Sequence, residues 1–286
     1  MNKTLKKIGY FFFGFVPILS AFAFQLIALV FLLGLSSIGL ILKGDTLSSG
    51  IQSLFSSLTD VNFNAEISII YSLLSIWIFG FMYHFFFHGN FKPDAKRIFS
   101  KSQFLGIALA VPMTQLICSL LSLLVTAINP VWMENYEKLM ETAGLSDSIS
   151  VWMFIYAVLL APIGEELMFR GVSMRCYRAV FPFWLANIIQ AFLFGFFHLN
   201  MIQGVYAFFI GLILGYVCEK SGSIYYAIFF HMCFNLMGCT TSLLSFLPEE
   251  GTVFLALVEY ILFPILGIIG IRLYRKGSRK HNYSFQ

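Results

Sequence analysis

Glu165, Glu166 and Arg170 lie inside one apolar stretch, VWMFIYAVLLAPIGEELMFRGV, and His198 and His231 lie inside two more. Ionisable side chains at membrane depth cost roughly 2.5–3.5 kcal/mol each on insertion scales, so they persist where they pair or act. Glu166 and Arg170 are four residues apart, share a helix face and can pair directly. Glu165 is turned about 100° away from Glu166 and is poorly placed for the same guanidinium. Two carboxylates against one arginine leave a charge that a proton, a metal ion or a histidinium must compensate. His198 closes the run Phe194-Gly195-Phe196-Phe197-His198, and His231 and Asn235 are again four apart on one face. A glutamate, two histidines and an asparagine from three helices can thus meet in one polar pocket and activate water there.

Removal from water makes a carboxylate a stronger base, which suits it to taking a proton from a nucleophilic water. Donors fixed in a dry pocket stabilise an oxyanion more than they would in water. Glu165, His198 and His231 also make a possible zinc ligand set with water in the fourth position. HExxH is absent and the ligands would come from separate helices, so spacing leaves the metal-dependent and metal-free mechanisms both open. His84 and His88 are four apart as well. They end an apolar run beside the basic 91–102 segment, where histidine and aromatic side chains anchor at the interface.

The elements that must position these residues are membrane helices. Of 286 residues, 59% are hydrophobic and 11% charged, where a soluble domain carries about 25% charged. With 34 phenylalanines, no soluble fold of this size would hide the apolar surface, so the bilayer is the solvent. Apolar runs place spans at roughly 10–42, 67–89, 103–128, 149–172, 183–199, 204–218, 223–246 and 253–273. The expected fold is an all-α polytopic membrane protein of about eight transmembrane helices, with the polar pocket between spans four, five and seven. The first run is too long for one upright helix; it must tilt or begin along the interface. Depth is consistent with one pocket: Glu165 lies ~20 Å from Arg178, His198 ~22 Å from Phe183 and His231 ~12 Å from Ser223.

Charge sets the orientation. Lys3, Lys6 and Lys7, then Lys92, Lys96, Arg97 and Lys101, then Arg175 and Arg178, then the 272–280 tail fall on one set of alternating connections. Asp45, Asp60 and Glu66, then Glu134, Glu137, Glu141 and Asp147, then Glu249 and Glu250 fall on the other. The positive-inside rule makes both termini cytoplasmic in an integral membrane protein (of the plasma membrane if bacterial). The N-terminal lysines resemble a signal peptide, but the apolar run continues to about residue 42, and an uncleaved first span is expected. The 129–148 segment has Trp132, Met133, Tyr136, Leu139 and Met140 at near-helical spacing. It reads as an amphipathic helix, either on the outer surface or covering the outer end of the bundle. The five cysteines are odd in number, form no CxxC pair and read as free thiols. The net charge of +4 is no sign of nucleic-acid binding.

Three motifs now stand in order: Glu-Glu-x-x-x-Arg at 165–170, Phe-x-x-x-His at 194–198 and His-x-x-x-Asn at 231–235. This resembles the CPBP family of CAAX proteases and bacteriocin-processing enzymes (Abi), which includes the type II CAAX prenyl endopeptidases. The resemblance implies Glu165 as general base, His198 helping to bind and activate water, and His231 and Asn235 stabilising the oxyanion. It makes Glu166 and Arg170 structural support. It implies an intramembrane endopeptidase acting on a membrane-associated peptide or protein, with no cofactor required in the metal-free mechanism and zinc in the other. Prenylated proteins and bacteriocin or pheromone precursors are both open as substrates. Some relatives look like non-catalytic immunity or regulatory proteins that bind a peptide or sensor partner, but no motif residue is missing here. A transporter would show paired repeats and broken helices in both halves. By this reading residues 1–148 supply spans one to three and the outer amphipathic segment, 149–275 the catalytic core, and 276–286 a basic cytoplasmic tail.

The orientation is testable with single cysteines. A membrane-impermeant thiol reagent applied outside should label Ser146→Cys and spare Lys96→Cys; the reverse pattern would reject the topology.

Overall fold

Gly14 divides the long first run. The computed structural model describes residues 2–87, 100–146, 149–241 and 249–279, and every regular element among them is helical. Lys3–Phe13 (α1) is exposed throughout, and Val16–Lys43 (α2) runs unbroken through Gly34–Ser37 to a left-handed Gly44 at φ 78°. The break sits where Gly14 meets Tyr177: a Cβ there would lie 2.5 Å from the ring. Phe11, Phe15 and Phe181 pack edge-on around the same cluster, fixing the start of the chain to the far end of the span that carries Glu165. A short helix Leu47–Ser57 (α3) follows, N-capped by Thr46, whose hydroxyl accepts from Ser49 N. It was not among the expected elements.

Asp60 caps Val61–Met82 (α4), which continues into a π turn at Tyr83–Phe87. His84 lies in that turn; His88 and the basic Lys92, Lys96 and Arg97 fall outside the described residues. Then come Lys101–Ile128 (α5), Val131–Thr142 (α6) and the long Val151–Arg178 (α7). Phe183–Phe197 (α8), Met201–Ser221 (α9), Ile224–Thr241 (α10) and Glu249–Arg279 (α11) complete the chain. Among the described residues, six stretches are long and apolar enough to cross a membrane: α1 with α2, α4, α5, α7, α9 and α11. The other two, α8 and α10, are apolar but shorter. The chain is an all-α polytopic membrane protein, and its cysteines are free thiols.

Small residues let the helices meet closely. Lipid tails are as apolar as leucine, so close packing and buried hydrogen bonds hold helices together in a membrane. A Cβ on Gly195 of α8 would lie 2.5 Å from the Gly204 carbonyl of α9, and one on Gly211 would lie 2.9 Å from Ala191 Cα. Between α5 and α11, a Cβ on Gly106 would lie 2.6 Å from Tyr274 N. Two fully buried amides stitch α8 to α9: Asn187 Nδ2 donates to Leu212 O at 3.0 Å, and Gln190 Nε2 donates to Gly211 O at 2.9 Å.

The α6 helix covers one end of the bundle. Tyr136 and Tyr206 hydroxyls lie 3.4 Å apart, and Leu139 and Met140 face the interior cavity described below. Of the two placements open for the 129–148 segment, the covering one is seen.

Gly195 is the sharpest test of this packing, because its obstacle is backbone. Gly195→Ala should lower folded protein in the membrane and its thermal midpoint, at the 1–3 kcal/mol scale of an overpacked core. Gly34→Ala, with nothing within 4 Å of the added Cβ, should leave both unchanged.

Candidate functional site

The span that carries Glu165 and Glu166 is not a uniform α-helix. Within α7, π turns occupy Tyr156–Leu160 and Leu167–Ser173, leaving a short α segment, Ala161–Glu166, between them. Proline at 162 lacks an N–H and crowds the carbonyls of the preceding turn, so the ladder widens just before it. Such bulges recur at functional sites because they re-aim the side chains that follow. Here those side chains are Glu165 and Glu166, both buried.

Arg170 is wholly buried and its charge is met on several sides. Nη1 donates to Glu166 Oε1 at 2.8 Å, Nη2 donates to Gly211 O at 3.3 Å, and the guanidinium carbon sits 4.5 Å from the Phe194 ring centroid. The pairing expected from the i, i+4 spacing is therefore made by Glu166, not Glu165. His231 joins the same group. Its Nδ1 lies 2.9 Å from Glu166 Oε1 and its Nε2 lies 3.7 Å from Glu165 Oε2. An ionised carboxylate only accepts, so the Nδ1 proton points at Glu166 and Nε2 is the ring atom turned toward Glu165. At 3.7 Å the Glu165 contact is longer than a hydrogen bond.

Phe194 is the residue whose role the sequence did not disclose. Besides Arg170, it packs edge-on against His198, with centroids 5.3 Å apart, and against His231 at 5.7 Å. One ring thereby separates the two imidazoles and covers the guanidinium. Asn187 and Gln190 were also missed, although two amides three residues apart in an apolar span were a readable signal. His198 caps the C-terminus of α8 in a tight turn. Leu199 follows at a left-handed φ of 51°, and Asn200 Oδ1 then caps α9 by accepting from Gln203 N at 3.1 Å.

All four proposed chemical residues line one cavity of about 450 Å³: Glu165, His198, His231 and Asn235. Part of the remaining wall comes from further afield, with Phe22 and Gln25 of α2, Asn64 and Ser68 of α4, and Leu139 and Met140 of α6. The cavity thus runs from Glu165 toward the end of the bundle that α6 covers. The Asn235 side chain is engaged within it: Nδ2 donates to Ala157 O at 2.8 Å. Among the described residues, no three His, Cys, Asp or Glu side chains are grouped so as to hold a metal ion.

The three motifs occupy residues 165–235, and the comparison with known families covers that region. Residues 147–237 match the family model described as type II CAAX prenyl endopeptidase Rce1-like. At family level the match is to a CAAX-type intramembrane protease, as the three motifs led us to expect, and it includes every motif residue. Neither a curated protein nor a solved structure gives a significant match.

The matched region depends on Glu166 for its charge balance. Glu166→Gln strands both Arg170 and His231, and breaking a buried pair from one side costs about 3–5 kcal/mol. Against a total stability of roughly 5–15 kcal/mol, membrane abundance should fall severalfold. Removing both charges with Glu166→Leu and Arg170→Met should recover much of that abundance on immunoblots. A double variant as poor as the single would show that His231, not Arg170, is the partner that needs Glu166.

Proposed function

We propose that this protein is an intramembrane endopeptidase that hydrolyses a peptide bond of a membrane-associated peptide or protein. The observation that carries this reading is the convergence of Glu165, His198, His231 and Asn235 on one cavity, from helices α7, α8 and α10. Glu165 takes a proton from water as the hydroxyl attacks the scissile carbonyl carbon. His198 orients that water from the end of α8. The resulting oxyanion is held by His231 through Nε2–H. Glu165 then returns its proton to the leaving amine as the C–N bond breaks. With a proton on each ring nitrogen, Nδ1–H serves Glu166 while Nε2–H remains for the oxyanion.

With both termini cytoplasmic, as the positive-inside rule has it, the α6-covered mouth of the cavity would open on the opposite face. The substrate class follows the family name only as far as a probe: a fluorogenic peptide ending in farnesylated Cys-aliphatic-aliphatic-X. Precursors of secreted peptides remain the competing class, and comparative peptidomics of cells with wild-type and Glu165→Gln protein distinguishes the two.

Glu165→Gln keeps volume and hydrogen bonding but cannot accept the proton. It should reduce turnover by the 10²–10⁴-fold typical of a general base while membrane abundance stays near normal. Retention of more than about a tenth of wild-type turnover would refute the assignment. Turnover should also be insensitive to 1,10-phenanthroline; inhibition reversed by added zinc would replace this mechanism with a metalloprotease.

A further inference from the structure

The Ala157 carbonyl oxygen stands in an unusual position. In the π turn Tyr156–Leu160, the N–H of Ala161 donates to Tyr156 O, five residues back. The next rung of that ladder would run from residue 162 to the Ala157 oxygen. Residue 162 is proline and has no N–H to give. A buried carbonyl in this situation needs a donor from elsewhere. It has one in Asn235 Nδ2 of α10, 2.8 Å away. The amide orientation is fixed by the partner, because only the NH₂ end can bond a carbonyl.

We propose that Asn235 is a positioning residue: it makes, from a neighbouring helix, the hydrogen bond that Pro162 cannot make, and so locks the π turn that aims Glu165 into the cavity. This rests on the hydrolytic reading above. One extra residue in a helical turn rotates everything beyond it by about 100° relative to what precedes it. Glu165 lies three residues beyond Pro162, so the state of the turn decides which way its carboxylate faces. Ala157, Ala161, Glu165 and Asn235 share one wall of the cavity. Pro162 and Asn235, 73 positions apart, are linked through one carbonyl: the proline leaves the Ala157 oxygen without a donor from its own helix, and the amide supplies one from α10.

The single variant Asn235→Ala does not separate this role from direct oxyanion binding. Misplacing a catalytic group by an ångström costs about 10²-fold, and losing an oxyanion donor costs about 10²–10³-fold. A second-site change does separate them. Pro162→Ala returns a backbone N–H that can donate to Ala157 O without help from α10. Wild type, Pro162→Ala, Asn235→Ala and the double variant are compared with the farnesylated fluorogenic peptide, with Glu165→Gln as the blank. Asn235→Ala should lower kcat about 10²-fold with KM little changed. Pro162→Ala should stay within about threefold of wild type, and the double variant should recover to within about tenfold of Pro162→Ala. A double variant no faster than Asn235→Ala, or Pro162→Ala as slow as Asn235→Ala, would overturn the proposal. Thermal midpoints of the same proteins in detergent give a reading independent of cleavage. Asn235→Ala should lower the midpoint relative to wild type and the double variant should regain it; no recovery also overturns the proposal. Failure of the hydrolytic reading looks different: wild type and Glu165→Gln would be indistinguishable on peptide while the midpoints still rise and fall as stated.

Discussion

A guanidinium taken out of water inside a helix bundle must be answered from every direction, and Arg170 sets that requirement for this protein. Its partners come from α7 itself through Glu166, from α9 through the Gly211 carbonyl and from α8 through the face of Phe194. Glu166 passes the demand on to His231 in α10 by sharing one oxygen between two donors. Four helices are thereby held in one register around a single charge. The glycines serve the same end. Arg170 reaches the Gly211 carbonyl where α8 and α9 lie close together, and a Cβ at 211 would push them apart. Gln190 donates to that same carbonyl, so it carries two side-chain donors.

Much of this was legible in the sequence, and the reasons are specific. Charged residues in apolar runs are costly, so Glu165, Glu166, Arg170, His198 and His231 identified themselves, and the i, i+4 spacing of Glu166 and Arg170 fixed their pairing. Membrane character followed from composition alone. What the sequence withheld was azimuth. Regular helical spacing cannot reveal π turns, so the widened ladder around Pro162, and the engagement of Asn235 with it, had no signature beyond a proline inside a span. The break at Gly14 was equally hidden, because the cause is a tyrosine 163 positions away. Phe194 stood in plain view within a motif, yet its role depends on three neighbours from α7, α8 and α10 that only the packing brings together.

The chemical residues and the cavity that contains them come from different parts of the chain. Residues 147–237 hold every motif side chain, whereas α2, α4 and α6 supply much of the wall that a substrate would touch. Gln25, Asn64 and Ser68 add polar atoms to that wall, and Asn64 Nδ2 also reaches Thr142 O at 3.4 Å, tying α4 to the end of α6. Under the proposed hydrolytic reading, substitutions in α2, α4 and α6 would change what is admitted without touching the motif side chains.

The fifteen residues of α8 extend only about 22 Å along the helix axis, against a hydrocarbon core of about 30 Å. Phe192, Phe196 and Leu199 nonetheless present apolar surface to their surroundings up to the end of the helix. A bilayer that meets this mismatch by thinning would thin over the turn that carries His198. Its polar surface would then approach the imidazole from the lipid side, independently of the α6-covered mouth. Acyl-chain length thus becomes a variable of the site: a thick bilayer buries the His198 turn, and a thin one brings it close to the headgroups.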